Sequence, residues 1–577
     1  IMKRLLKDYL LPYSKLIIFT AFFVFVHVAL QINIMSMTQT ILDNGVKHHN
    51  LGLIWNTGLV MFILTLILAV AMFSSSYLSA HITASLVCDI REDMFNKINS
   101  LSPTDYKRFS ISSLMTRATS DATIVQSFMI NFLRDCLLIP FVLIGIIVAM
   151  SMINLKLASI LIVCFITTVT LMIVYSKQSV EIFSQVQEIL DHLNLLLKEK
   201  ILGARSIRAF GKEKYETKKF EKYNINSYEG SLHAANKIYF LTPLALIIMN
   251  LAIVLVYYFG SLEIQAGLAR VSDLILFFQY STFFIGSLGL IPFIVNTIPK
   301  FIVSSGRIEE VLYYDTELSN NYELTQPNNG TVEFKNVNFS YNPGRNVLND
   351  ICFKAAPGTV TAFIGSTGSG KTSIINLLTR FYDPDNGQIL IDGTDIRNID
   401  ITGLRDNVSL SSQEVMILND TARNNILMGS NLTDKELESV CDDSLFSEVI
   451  NKLPEGLNTQ MSQSGMNISG GEKQRLNIAR SLAKNANIYI FDDSFSSLDN
   501  KKERIISDKI FNRLKAKTIF LVSQKINNII DADNIIVLDK GRIESQGTHE
   551  QLLESSSIYQ EIYQTQAMFN EGESLGK

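Results

Sequence analysis

Charge is scarce in these 577 residues: only 18% are Asp, Glu, Lys or Arg, and the net charge is −4. A balance so near neutral excludes the broadly basic surface that would hold nucleic acid. Cysteine is equally sparse. Cys88, Cys136, Cys164, Cys352 and Cys441 stand apart without metal-ligand spacing, which excludes a zinc module or a disulfide framework and leaves small apolar side chains in a reducing compartment. The first apolar run has no small-residue cleavage site and is too long for a signal peptide, so it is expected to remain in the mature chain.

What the chain has in abundance is apolar surface, 47% of residues with a mean hydropathy of +0.21. It is concentrated in the first half. Six stretches approach or exceed the length that carries a helix across a bilayer: 14–40, 53–82, 128–153, 155–177, 238–262 and 273–299. From about 325 onward, strand-like, helix-like and glycine-bearing segments alternate as in a soluble α/β domain. The expected fold class is an α-helical membrane domain (1–305), a linker (306–324) and an α/β P-loop nucleotide-binding domain (325–577).

Basic residues set the orientation. Arg91, Lys97, Lys107, Arg108 and Arg117 separate the second and third spans, and a run from Lys198 to Lys222 separates the fourth and fifth. The positive-inside rule places both segments and both termini in the cytoplasm. Both segments keep helical periodicity, so the spans are expected to continue below the membrane and turn at tips near 102–113 and 206–216, where they could meet the cytosolic domain. Arg134, Asp135, Glu263 and Asp273 are charges in or beside spans, expected to be structural. The sixth span mixes Phe277, Phe278, Phe283 and Phe284 with Gln279, Tyr280, Ser281 and Asn296. Lipid packing is expected to take many of the aromatics, with the polar groups turned to protein or water. Such a wall suits an amphipathic organic substrate better than a small ion.

GSTGSGKT at 365–372 lies between the apolar TVTAFI and the helix-like SIINLLTRFY, matching the strand, loop and helix context of a phosphate loop. Gly365, Ser366, Thr367, Gly368, Ser369 and Gly370 would curl backbone N–H groups toward phosphates, Lys371 would supply a cation, and Thr372 a hydroxyl for Mg²⁺. A second buried strand, IYIFD, ends at Asp492, a further candidate for the magnesium shell. Ser469, Gly470 and Gly471 open the helix EKQRLNIARSLA, a second potential anion site at a helix N-terminus.

Taken in order, these motifs make the chain resemble a half-transporter of the ATP-binding cassette (ABC) family, exporter type, over nearly its whole length. The resemblance implies ATP and Mg²⁺ as cofactors and a bacterial plasma-membrane protein with a cytoplasmic nucleotide-binding domain. It implies that Tyr341 of NFSY stacks on adenine. Gln413 would link γ-phosphate and magnesium to the membrane helices. ISGGE resembles the family signature, running to Glu472, and SSLD ending at Asp499 the loop across the dimer interface. In the family two such domains stack head to tail, each ATP held by one chain's phosphate loop and the other's signature.

The departures are as informative. The family usually follows the magnesium aspartate with a glutamate that polarises the attacking water; here Asp493 follows, one methylene shorter than a base that must come within about 3 Å of its proton. Where the family usually has a histidine, TIFLVSQKI has Gln524, which can donate a hydrogen bond but cannot carry charge. Gln460 and Gln463 replace carboxylates that usually approach the membrane domain's tips. Two substitutions at one chemical step imply a site that binds ATP and hydrolyses it slowly, in a chain that pairs with a different subunit and lends it the signature. Membrane lipid and an amphipathic, multidrug-type substrate complete the expected partners. A lipid or peptide exporter, a siderophore-type importer, or a regulatory subunit gating its partner are the alternatives, and no peptidase domain is expected ahead of the first span.

Overall fold

The computed structural model describes residues 2–288, 291–316, 329–342, 344–462 and 465–575. Gln463 and residues 317–324 of the expected linker lie outside them, as does the side chain of Asn296. The chain divides into two compact units, Ile1–Leu101 with Tyr106–Asp315, and Thr316–Lys577 with Ser102–Asp105.

The first unit is helical throughout. A short amphipathic helix, Met2–Leu10, leads through a Pro12-initiated turn into Ser14–Thr40. Three further helices are very long: Leu51–Ser100 (50 residues), Leu155–Leu202 (48) and Glu213–Gln265 (53). At about 1.5 Å per residue each reaches roughly 70–80 Å, more than twice the ~30 Å of bilayer hydrocarbon. The helical periodicity of the basic segments is thus continuous with the spans. Short helices, Pro103–Phe109 and Ala204–Ala209, occupy the turns at the two expected tips. Among the described residues, four helical stretches are long and apolar enough to cross a membrane: Lys7–Val46, Leu51–Ser100, Ile111–Ile153 and Pro243–Gln265. Helices Val271–Leu288 and Ile291–Leu312 complete the unit.

Each charge flagged within the spans has a partner. Arg134 pairs with Asp135 at 2.7 Å, Glu263 with Lys156 at 3.1 Å, and Asp273 accepts from the Gln39 amide at 2.6 Å. The aromatic residues of the last span depart from expectation. Phe278 is exposed, but Phe277 and Phe284 are buried inside the bundle, where Phe284 stacks on Phe165 with ring centroids 3.8 Å apart. The reason is spacing: 277, 280, 281 and 284 share one helical stripe, so aromatics and the polar Tyr280 and Ser281 turn inward together.

Among its described residues the second unit carries ten strands: β1 (Val332–Phe339), β2 (Leu348–Ala355), β3 (Val360–Gly365), β4 (Asn386–Ile391), β5 (Thr394–Asp395), β6 (Val408–Ser411), β7 (Ile488–Asp492), β8 (Thr518–Val522), β9 (Asn534–Asp539) and β10 (Arg542–Gly547). β2-β1-β4-β5 form an antiparallel sheet. β10-β9-β3-β8-β7-β6 form the central sheet, parallel except for the β9–β10 hairpin. Every residue of β7 and β8 is buried, because both faces of a parallel sheet are covered and its strands must be apolar without alternation. One face packs Tyr489, Phe491 and Leu521 against helices; the other packs Ile490, Phe363 and Phe520 toward the antiparallel sheet. In such sheets the carboxyl ends of the strands form the ligand crevice. Here β3, β6, β7 and β8 deliver their following residues, 366, 412, 493 and 523, to that edge.

Candidate functional site

The phosphate loop begins where β3 ends. Gly365 lies so close to β9 that a Cβ there would sit 2.2 Å from the Leu538 carbonyl, and Gly370, at φ +108°, precedes helix Lys371–Leu378 in a left-handed conformation. Only glycine meets both demands without strain. The loop thereby delivers the helix N-terminus, with its unpaired N–H groups, to the crevice. Lys371 is 8% exposed and its Nζ donates to the carbonyls of Gly365 (2.8 Å) and Ser366 (2.9 Å) and to Ser369 Oγ (3.4 Å). Burial lowers its pKa, opposed by the charges of Asp492 and Asp493.

A cavity of about 360 Å³ opens along this loop. It gathers Thr367, Gly368, Gly370, Lys371 and Thr372 from the loop, Gln413 from beyond β6, Asp492 and Asp493 from the end of β7, and Gln524 from beyond β8. Tyr341 stands at its rim, its hydroxyl 3.1 Å from Ser373 Oγ and accepting from Asn376 at 3.1 Å, its ring edge-on to Tyr382. Gly365 and Ser366 line a neighbouring cavity behind the loop, and Ser369 holds Lys371.

The carboxylates differ in setting. Asp492 is buried, and burial together with the charge of Asp493 pushes its pKa up to about 6 against the pull of Lys371. Asp493, half-buried, is raised by burial, opposed by Lys371 and Lys525. Its backbone is left-handed at φ +47°, with its N–H held by the Val522 carbonyl at 3.0 Å. Aspartate tolerates that region better than most side chains. Thr372, Gln413 and Asp492 offer a hydroxyl, an amide oxygen and a carboxylate to one cavity, an all-oxygen donor set that fits a hard cation such as Mg²⁺.

The signature candidates do not line this cavity. Ser469 caps helix Gly470–Ala483: its N–H and Oγ donate to Glu472 Oε2 at 2.8 and 2.9 Å, and the backbone bond from Ser469 lowers the Glu472 pKa. Ser469 and Gly470 are exposed. Asp499 is exposed too, and caps helix Asn500–Arg513 by accepting from Lys502 N at 2.9 Å, which lowers its pKa. The two loops are bound to each other by a residue that sequence reasoning missed. Gln474 accepts from Ser497 N (2.9 Å) and donates to Ser496 Oγ (3.0 Å), while a Cβ on Gly471 would lie 3.1 Å from the Ser497 carbonyl. Gln474 stands four residues past Gly470, one turn in from the exposed end, and that spacing could have found it. Also missed were Val347 and Ser373 in the cavity wall. Gln460 bonds to Asn419 at 3.4 Å within the domain.

Comparison with known proteins agrees with this geometry. Residues 17–288 match the ABC transporter transmembrane region and residues 348–496 the ABC transporter domain. An uncharacterized ABC transporter ATP-binding protein of Bacillus subtilis, YfiB, is 32% identical over 561 residues, covering 97% of this chain and 98% of that protein. The ATP-dependent lipid A-core flippase of Pseudomonas syringae is 30% identical over 495 residues, 85% of this chain and 82% of its own. A solved bacterial Atm1-family ABC exporter with ATP bound shares the fold, with a TM-score of 0.81 over 97% of this chain and 98% of its own at 22% identity. Membrane helices, a phosphate loop at the carboxyl edge of a parallel sheet and end-to-end kinship converge: this chain belongs to the ABC transporter family, as a multi-pass membrane half-transporter of exporter fold whose cytoplasmic domain binds ATP.

Proposed function

We propose that this chain is one half of a heterodimeric exporter of amphipathic compounds, that its own phosphate-loop site holds MgATP and turns over slowly, and that its signature loop completes the active site of a different subunit. The observation that carries this reading is the pairing of Asp493 and Gln524 in one cavity with Lys371 and Asp492. The binding groups are all present, whereas the two residues facing the reacting phosphate are a carboxylate one methylene short and an amide that cannot be charged.

In that reading Lys371 and the loop N–H groups hold the β- and γ-phosphates, and Tyr341 stacks on adenine. Mg²⁺, held by Thr372, Gln413 and Asp492, would neutralise phosphate charge. Gln524 donates to the γ-phosphate, and Asp493 orients water too remotely to accept its proton. Ser469, Gly470, Gly471, Glu472 and Asp499 are offered outward to the partner's nucleotide, which agrees with the exposure of Ser469, Gly470 and Asp499 and with the absence of all five from this chain's cavity lining. ATP closing the two domains and hydrolysis reopening them shifts the membrane unit between access states, provided the substrate binds the two states unequally. The test is the double change Asp493→Glu with Gln524→His in the transporter purified with its native partner. Restored turnover at this chain's site, read as faster loss of trapped nucleotide from this subunit, is expected; unchanged turnover and occupancy would overturn the reading. A lipid substrate is the second reading, favoured by the 30% identity to the lipid A-core flippase.

A further inference from the structure

Gln524 is exposed, so little beyond the backbone that carries it restrains its side chain. That backbone lies just past the end of β8, where its sheet neighbours run out: the register of β8 against β3 and β7 ends at Val522. Lys525 continues extended at φ −100°, ψ 126°, leaving the Gln524 carbonyl and the Ile526 N–H on one side, as a further strand would need them. The groups that take them belong to the C-terminal helix, Ser557–Leu575. Gln566 Nε2 donates to the Gln524 carbonyl at 2.7 Å, and Gln566 Oε1 accepts from Ile526 N at 2.9 Å. One side-chain amide thus stands in for one rung of β-ladder. On the other flank, Lys525 pairs with the buried Glu503 at 3.2 Å, and Asn528 also donates to Glu503.

We propose that Gln566 is a positioning residue for the switch residue Gln524, so that the C-terminal helix sets how this site distinguishes ATP from ADP. The inference rests on the reading of Gln524 as the γ-phosphate donor. A side-chain hydrogen bond to a phosphate depends steeply on angle, and a loop tethered at both i and i+2 cannot rotate the peptide between them. Gln524 also borders a second cavity, about 440 Å³, between the phosphate loop and this helix, with Ile558, Glu561, Ile562 and Thr565 on its far wall. With open space behind the loop, the Gln566 amide bridges loop and helix where side-chain packing is thin.

The experiment uses the full transporter with its native partner in lipid nanodiscs and photo-crosslinks azido-ATP, with unlabelled ATP or ADP as competitor, resolving the labelled subunits. The readout is the ratio of ADP to ATP dissociation constants at this chain. Gln566→Leu is expected to lower that ratio about fivefold, the value of one net hydrogen bond. Gln566→Glu keeps the size and the acceptor for Ile526 but as a carboxylate has no donor for the Gln524 carbonyl. Its ratio, taken relative to wild type at each pH, is expected to be low at pH 8 and to recover toward pH 5 as the carboxyl takes up a proton. A role confined to holding the helix would weaken ATP and ADP equally and show no such recovery; either result overturns the proposal. Gln524→Ala separates the premise: if it lowers the ratio while both Gln566 variants leave it unchanged, the positioning role alone has failed, and if it leaves the ratio unchanged, the γ-phosphate reading of Gln524 has failed with it.

Discussion

Replacing Asp492 by Asn should make the nucleotide-free domain more stable and the nucleotide-bound one weaker. The carboxyl is 6% exposed, and its pKa stands at about 6 against an ordinary 3.8. Because the folded pKa is the higher one, the fold prefers the neutral acid. The penalty is full above pH 6 and disappears as pH falls through 6 toward 4. Two pKa units at about 1.4 kcal/mol each make that penalty roughly 3 kcal/mol at pH 8 and about half as much at pH 5. The Asn amide returns about 1 kcal/mol as its own desolvation, leaving a net gain of about 2 kcal/mol. For a domain of this size that is a rise of about 4–8 °C in the cytosolic unit's melting midpoint. Calorimetry of the full chain, wild type and Asp492→Asn, at pH 8 and pH 5 without nucleotide, reads it. MgATP should then invert the order, since the cation needs the ionised carboxylate. A variant midpoint equal to or below wild type at pH 8, or a difference that does not shrink toward pH 5, would refute the argument that burial and the Asp493 charge set this group.

Other substitutions probe separate parts of the argument. Lys371→Ala, which removes a buried cation aimed along the phosphate loop, should weaken ATP binding at this subunit about a hundredfold, the sum of two charge-assisted hydrogen bonds, in equilibrium binding assays. Gly471→Val should force the Ser497 carbonyl, 3.1 Å from the first added carbon, away from the signature helix; its effect should appear as lost hydrolysis in the partner's site with ATP affinity at this chain's phosphate loop unchanged. Phe284→Ala, which empties the stack on Phe165, should destabilise the membrane unit by about 3–5 kcal/mol, measured as a lower unfolding midpoint in detergent. Thr433→Ala, which breaks the capping box with Glu436, should cost about 1 kcal/mol in the cytosolic unit by the same calorimetry.

Local chemistry was legible in the chain alone. A phosphate loop is eight consecutive residues whose glycines and lysine need only a strand before them and a helix after, so GSTGSGKT declares itself, and the apolar strand IYIFD places Asp492. Four of the expected spans, and the basic runs between them, likewise read directly, because the bilayer imposes one dimension and one charge bias on any helix that crosses it. What the tertiary structure decided is which distant residues meet. The order β10-β9-β3-β8-β7-β6 brings residues beyond 365, 411, 492 and 522 to one edge. The stripe through 277 and 284 faces inward because of what packs beside it, since hydrophobicity alone cannot tell lipid from a protein core. Gln474 and Gln566 are ordinary amides by sequence. They become tethers of the loops at Ser497 and Gln524 only because folding supplies, within 3 Å, backbone groups that have no strand to pair with.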